Sequence, residues 1–194
     1  MSSRRPLRSR PLDLLYLCFF ASHIPATLFF DGQAVYPSSL VPQALKDANA
    51  GYLAWTRDPL IGNIAEPESG FLGAWFRSFV ILELVFQLPT FFVGIRGLWK
   101  DSRSIYPLLL IYGASTATAT LACIASFLAS PTSPSDAELL TVANFSIAAP
   151  TASQIRVLLG LYMPYLIVPL LMTIDMAQRI GKLMGRASKG DKDN

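Results

Sequence analysis

Ile105-Tyr-Pro-Leu-Leu-Leu-Ile-Tyr-Gly-Ala-Ser-Thr-Ala-Thr-Ala-Thr-Leu-Ala-Cys-Ile-Ala-Ser-Phe-Leu-Ala129 runs for 25 residues without a charge. A helix that crosses a bilayer needs about 20 mostly apolar residues, within a range of roughly 17 to 25. This stretch meets that need outright, and three more blocks flank it. Leu14–Phe30 is interrupted only by His23 and Pro25. Phe79–Leu98 contains Glu83 and Gln87, with Arg96 near its end. Val157–Ile174 is again uncharged. The fold class that follows is all-α, an integral membrane four-helix bundle. Its spans fall at about 12–31, 76–98, 105–129 and 156–177, inside one domain over 11–180 with tails at 1–10 and 181–194.

Composition agrees with that reading. Hydrophobic residues make up 52% of the 194 and charged residues 15%, well under the roughly 25% usual in soluble domains. The net charge of +3 is small and the basic residues gather towards the chain ends, so no nucleic-acid partner is expected. Cys18 and Cys123 both lie in apolar blocks and read as packing residues.

The first block has a rival reading as a signal peptide, because Arg4, Arg5, Arg8 and Arg10 precede it. A signal peptide has an apolar stretch of about 7–15 residues and then a small-residue cleavage site. Here the apolar character continues to Phe30 with no A-x-A pattern after it. The Arg- and Ser-rich start also has a faint presequence character, over too few residues to carry weight. A retained span is the expectation.

Orientation is read from the Lys/Arg bias of the flanks. The N-terminal tail, the connection between spans two and three (Arg96, Lys100, Arg103) and the C-terminal tail hold twelve of the sixteen basic residues. The opposite side keeps Lys46, Arg57, Arg77 and Arg156, together with most of the acids. Both termini are therefore expected to be cytoplasmic, which makes the sequon at Asn144–Ser146 lumenal. In the long first loop, Leu45, Ala48, Tyr52, Leu53 and Trp55 recur at helical spacing after Pro42. That pattern predicts an interfacial helix with Tyr52 and Trp55 at headgroup level. Residues 62–73 read as a flexible insertion, Ser130–Gln154 as a loop, and the last dozen residues as disordered.

The polar residues inside the spans are the functional candidates. Glu83 lies about eight residues into span two, with Gln87 one turn further on the same face. A carboxylate at that depth costs several kcal/mol unless protonated, paired or hydrated. Asp31 closes span one at the same end of the bundle, so the two acids are placed to meet. Neighbouring carboxyls in low dielectric share one proton and carry a single negative charge, which attracts an amine. The alternative is that Asp31 merely ends a helix while Glu83 bonds to a neighbouring span, and pattern alone leaves both open. His23, Thr27 and Asp31 step along one side of span one at four-residue intervals. A histidine bonded to the next helix is the commoner arrangement, a proton relay the rarer one. With no second histidine or thiol at suitable spacing, no metal site and no cofactor are expected. No G-x-S-x-G, Gly-rich phosphate loop or C-x-x-C is present. The run Gly113–Thr120 in span three suits close helix packing; Thr116, Thr118 and Thr120 are the alternatives for a ligand-facing hydroxyl. Pro25, Pro89, Pro164 and Pro169 remove backbone hydrogen bonds and bend their helices, which favours a pocket between them.

These residues also carry a resemblance. Ser22-His-Ile-Pro-Ala-Thr-Leu-Phe-Phe-Asp-Gly-Gln-Ala-Val-Tyr-Pro37, Asp58-Pro-Leu60, Trp75-Phe-Arg-Ser-Phe79 with Glu83-Leu-Val-Phe-Gln-Leu-Pro89, and Tyr162-Met-Pro-Tyr-Leu-Ile-Val-Pro169 resemble, in order, the sigma-2 receptor (transmembrane protein 97) family of EXPERA-domain proteins. The resemblance covers roughly residues 11–180. It implies a dimeric four-helix protein of the endoplasmic-reticulum (ER) membrane, without enzymatic activity, whose lipid-accessible cavity binds sterols and amphiphilic amines. On that analogy Asp31 contacts the ligand, Glu83 is its hydrogen-bonding partner, and Gln87, Thr118 and Tyr165 line the cavity. Asp58, and His23 by its neighbours, take structural polar roles. Animal-type members are linked to cholesterol trafficking. The fungal branch, efficient mitochondria-targeting-associated protein 19, is linked to ER-surface handling of mitochondrial precursors, with chaperone or precursor partners. The 62–73 insertion and the Ser/Thr-rich third loop depart from the animal pattern and point to the fungal branch. Sterol isomerases of the wider group are the enzymatic alternative, but span two lacks the histidine that their pattern pairs with a glutamate. A structural adaptor without ligand is the third reading.

Overall fold

We describe a computed structural model of the chain, covering residues 5–64, 70–133 and 149–190. Apolar runs with few polar interruptions can satisfy their backbone in lipid only by forming helices, and every long element here is helical. The first span is α1 (Pro11–Phe29), with Pro11 at its first position, where a missing N–H is harmless. A 3₁₀ turn, Asp31–Ala34, follows it. The predicted loop helix is α2 (Gln43–Thr56). Next comes the short α3 (Pro59–Ile64). Span two consists of α4 (Gly70–Leu82), a π-helical segment (Glu83–Gln87) and α5 (Leu88–Trp99). Spans three and four are α6 (Tyr106–Leu128) and α7 (Ala152–Gly190).

Four helical stretches among the described residues are long and apolar enough to cross a membrane: Pro11–Ala34, Ala74–Trp99, Arg103–Leu128 and Ala152–Ser188. The chain is thus an all-α membrane bundle. One end, termed the terminal end, brings together residues 5–13, 98–101 and 175–179. The other, the loop end, joins α2 to α7 through Gln154 Nε2, which donates to the Trp55 carbonyl at 2.9 Å. Each end has its own apolar cluster, around Tyr16, Phe20, Phe91 and Tyr112 at the first and Val80, Ile124, Phe127 and Leu158 at the second.

The small residues of span three serve packing. A Cβ on Gly113 would lie 2.7 Å from the Pro169 carbonyl oxygen and 2.6 Å from Thr173 Oγ1, so α6 and α7 approach closely only with glycine there. Helix α7 starts on a capping box. Thr151 N–H donates to Gln154 Oε1 at 3.0 Å, and Gln154 N–H donates to Thr151 Oγ1 at 3.3 Å.

Two sequence expectations change, and a third falls outside the described residues. Residues 62–64 and 70–73 are helical, so the supposed insertion is structured wherever it is described; 65–69 lie outside the described residues. The sequon and most of the third loop lie outside them too. The C-terminal dozen is not disordered at its start, since α7 continues to Gly190. Ile180 and Leu183 still pack on the terminal-end cluster, and 183–190 contain Lys, Leu, Met, Arg and Ala, which favour helix.

Candidate functional site

Between the four spans lies a cavity of about 340 Å³. Its wall takes Ala26, Phe30 and Asp31 from the end of span one, Phe76, Phe79, Val80, Glu83 and Gln87 from span two, Thr116, Thr120 and Cys123 from α6, and Tyr162 and Tyr165 from α7. Asn49 and Tyr52 of α2 close it from the loop end. Among the described residues, no arginine or lysine contributes to this wall.

The π segment presents Glu83 and Gln87 together. It widens the helix by one residue per turn, so Leu88 N–H bonds to the Glu83 carbonyl. Pro89, directly after it, has no N–H to donate to the preceding turn. Gln87, 4% exposed, accepts from Thr116 Oγ1 at 3.0 Å. Glu83 Oε1 accepts from Thr27 Oγ1 at 2.5 Å and lies 3.3 Å from His23 Nε2. Donor atoms of His23, Asp31 and Glu83 all lie within 4.8 Å of one another. The four-residue steps His23, Thr27, Asp31 therefore put all three near Glu83, whose close partners are Thr27 and His23, with the Asp31 carboxylate within 4.8 Å.

His23 is boxed by aromatic rings, stacked on Phe91 at 4.8 Å between centroids, with Tyr165 at 4.6 Å and Phe19 edge-on at 5.3 Å. Tyr165 is on the wall, as expected, and its carbonyl accepts from Thr120 Oγ1. Thr118 is not. Its exposed hydroxyl donates to the Ala114 carbonyl at 2.8 Å. At 100° per residue Thr116 and Thr120 share a face, and Thr118 points nearly opposite.

Asp58 sits behind the cavity and is fully buried. Its Oδ1 accepts from Leu60 N–H at 2.8 Å and Ile61 N–H at 3.3 Å, capping α3 ahead of Pro59. Its Oδ2 accepts from the Tyr52 and Tyr162 hydroxyls, each at 2.8 Å. One carboxylate thus ties α2, α3 and α7 together. Tyr52 accordingly turns inward rather than to headgroup level, while Trp55 is 58% exposed. Burial, then the charge of Asp58, pushes the Tyr52 hydroxyl far above its ordinary value, so it stays a donor at any physiological pH.

Sequence reasoning missed a second polar constellation, at the terminal end. Arg10 (5% exposed) and Asp13 (2%) are buried there. Arg10 Nη1 donates to Asp13 Oδ2 at 2.5 Å and to the Leu98 carbonyl at 2.9 Å. Arg179 Nη1 donates to Asp13 Oδ1 at 2.6 Å and Nε to Asp175 Oδ1 at 3.0 Å. Arg5 forms a two-pronged pair with Asp101 at 3.0 and 2.9 Å. The arginines had been counted only as markers of sidedness. The signal was Asp13 and Asp175, two acids inside helices facing a basic flank.

The EXPERA (EXPanded EBP superfamily) profile matches residues 44–176. The sigma intracellular receptor 2 of Homo sapiens is 34% identical over 173 residues, 88% of this chain and 90% of the relative. This chain belongs to the sigma-2 receptor family of EXPERA proteins. The sigma intracellular receptor 2 of Xenopus tropicalis gives 34% over 170 residues, covering 87% and 89%. The efficient mitochondria targeting-associated protein 19 of Schizosaccharomyces pombe gives 28% over 181 residues, covering 92% and 82%. Relatives of both the animal and the fungal type therefore align along most of the family's length.

Proposed function

We propose that this protein binds a sterol-like or amphiphilic amine ligand in the cavity between its spans, with Asp31 and Glu83 as the polar contacts. One observation carries the reading: two carboxylates share an apolar wall to which, among the described residues, no arginine or lysine contributes. With one proton between them the pair holds a single negative charge, matched by one ammonium group. The cavity volume falls in the range of small-molecule sites, about 300–1,000 Å³, and its aromatic and aliphatic lining suits an apolar body. Gln87, Thr116 and Tyr165 shape the wall. The name of the human and frog relatives, a receptor, agrees with binding rather than turnover.

Isomerisation of a sterol needs proton donor and acceptor at separate ends of the ring system. His23 and Glu83 do face each other, but 3.3 Å apart on one wall, which favours a non-enzymatic role. ER residence, a homodimer and a part in sterol homeostasis or in handling mitochondrial precursors with chaperones rest on the family resemblance, and cytoplasmic termini on the Lys/Arg bias of the flanks.

Equilibrium binding of a tritiated amphiphilic amine to the purified full chain tests the reading. Asp31→Asn is expected to weaken binding at least tenfold, about 1.4 kcal/mol. Equal binding by wild type and variant removes Asp31 from the site. Proximity labelling from the C-terminal tail separates lipid-transport neighbours from precursor-handling ones.

A further inference from the structure

At the terminal end three arginines are neutralised within the protein, and the cations around them are not. Arg5, Arg10 and Arg179 are matched by Asp101, Asp13 and Asp175. Among the described residues Arg8, Arg96 and Lys100 take part in no ion pair, and all three are exposed. The acid next to Lys100 in the chain, Asp101, is already engaged. Arg5 donates to it at 3.0 and 2.9 Å, and Arg10 Nη1 stands 3.5 Å away.

These three cations sit where hydrocarbon gives way to headgroups. Arg96 lies near the end of the apolar stretch Ala74–Trp99, Lys100 directly follows it, and Arg8 precedes the stretch Pro11–Ala34. At 100° per residue Phe92, Arg96 and Trp99 fall within about 60° of one another. Phe92 is 55% exposed and Trp99 58%, so one outer face of α5 runs from an apolar ring through a guanidinium to an indole. Trp99 in turn borders a groove whose other wall is Arg5, Pro6, Leu7 and Arg8. Tryptophan favours headgroup level, and arginine and lysine reach the same level by extending their stems. An amphiphile with an apolar tail and an anionic head follows that order of chemistry. An amine of the kind suited to the cavity does not, because all three charges would repel it. Basic residues next to a span attract anionic lipid, each strengthening the attraction about fivefold. We propose that an anionic glycerophospholipid of the surrounding bilayer binds at the terminal end. Arg8, Arg96 and Lys100 hold its phosphate beside Trp99, and an acyl chain lies along Phe92. The site uses none of the carboxylates of the cavity wall.

The test is native mass spectrometry of the full chain, purified in detergent and offered phosphatidylserine and phosphatidylcholine in equal amounts. Wild type is expected to retain phosphatidylserine in preference. Arg8→Gln, Arg96→Gln and Lys100→Gln should each lower that preference about fivefold. Lys182→Gln and Arg186→Gln, on the exposed extension of α7, should leave it unchanged. Equal retention of the two lipids by wild type overturns the site. Equal losses from all five variants also overturn it, since they report a diffuse charge field rather than a site. An excess of glycerophosphoserine, the same headgroup without acyl chains, should not displace the lipid. Displacement would show that a free anion suffices and would overturn the lipid assignment. The five substituted side chains are exposed, and the wild-type comparison decides even where one variant fails to fold.

Discussion

Two groups of acids lie inside the bundle, one near each end, and they are handled in opposite ways. At the terminal end Asp13 is held between Arg10 and Arg179, with Arg5 and Asp101 alongside. Every carboxylate there has a guanidinium beside it. Towards the loop end, Asp31 and Glu83 share a mainly apolar wall to which, among the described residues, no arginine or lysine contributes. Asp13 has its counter-charge built in, Asp58 has neutral hydrogen-bond donors in its place, and on the proposed reading Asp31 and Glu83 take theirs from a ligand. This contrast, more than depth in the membrane, tells the latch from the site.

The contrast breaks first at Asp13. Asp13→Asn leaves two arginines at the terminal end without their shared acceptor, and removing one partner of a buried pair costs about 3–5 kcal/mol. A large drop in the thermal midpoint in detergent is expected. Asp31→Asn should do the reverse without ligand, leaving stability equal or higher, because no ion pair is broken there. If both variants destabilise alike, the distinction between the two ends fails. A middle-sized effect is expected at Thr116→Val, which strands the buried Gln87 oxygen and costs about 1–3 kcal/mol. Thr118→Val should stay within about 0.5 kcal/mol, and equal losses would undo the facing assigned to α6.

The smallest effect belongs to Arg5, whose side chain is mostly exposed. Arg5→Ala should cost less than about 1 kcal/mol, diminishing as salt rises. The bidentate bond from Arg5 holds the Asp101 carboxyl below its ordinary value. A depressed carboxylate contributes stability above its unfolded value, near 3.8, and loses it as pH falls through the lower folded one. Wild type should therefore lose its small advantage over Arg5→Ala only below about pH 4.

Much of this was legible in the chain. Lipid leaves helices few alternatives, so the spans could be counted from apolar length. A four-residue step keeps His23, Thr27 and Asp31 on one side whatever the partner. Three-dimensional choices were harder to see. The face of α6 depends on where Gly113 meets Pro169, which favours Thr116 and Thr120 over Thr118. The inward turn of Tyr52 depends on Asp58, six residues away and beyond the helix end. The terminal-end latch joins residues 166 positions apart, a separation that no local pattern reports.

The five π-helical residues of span two have a consequence of their own. An ordinary helix has one phase throughout, so its two ends cannot be aimed independently. The extra residue at Glu83–Gln87 offsets the upper half of the shaft from the lower by about 100°. One half turns its acid and amide to the cavity while the other turns the Leu98 carbonyl to Arg10. Span two is in effect two helices that share a spine, and deleting Val85 there would keep both Glu83 and Gln87 while making its two appointments incompatible.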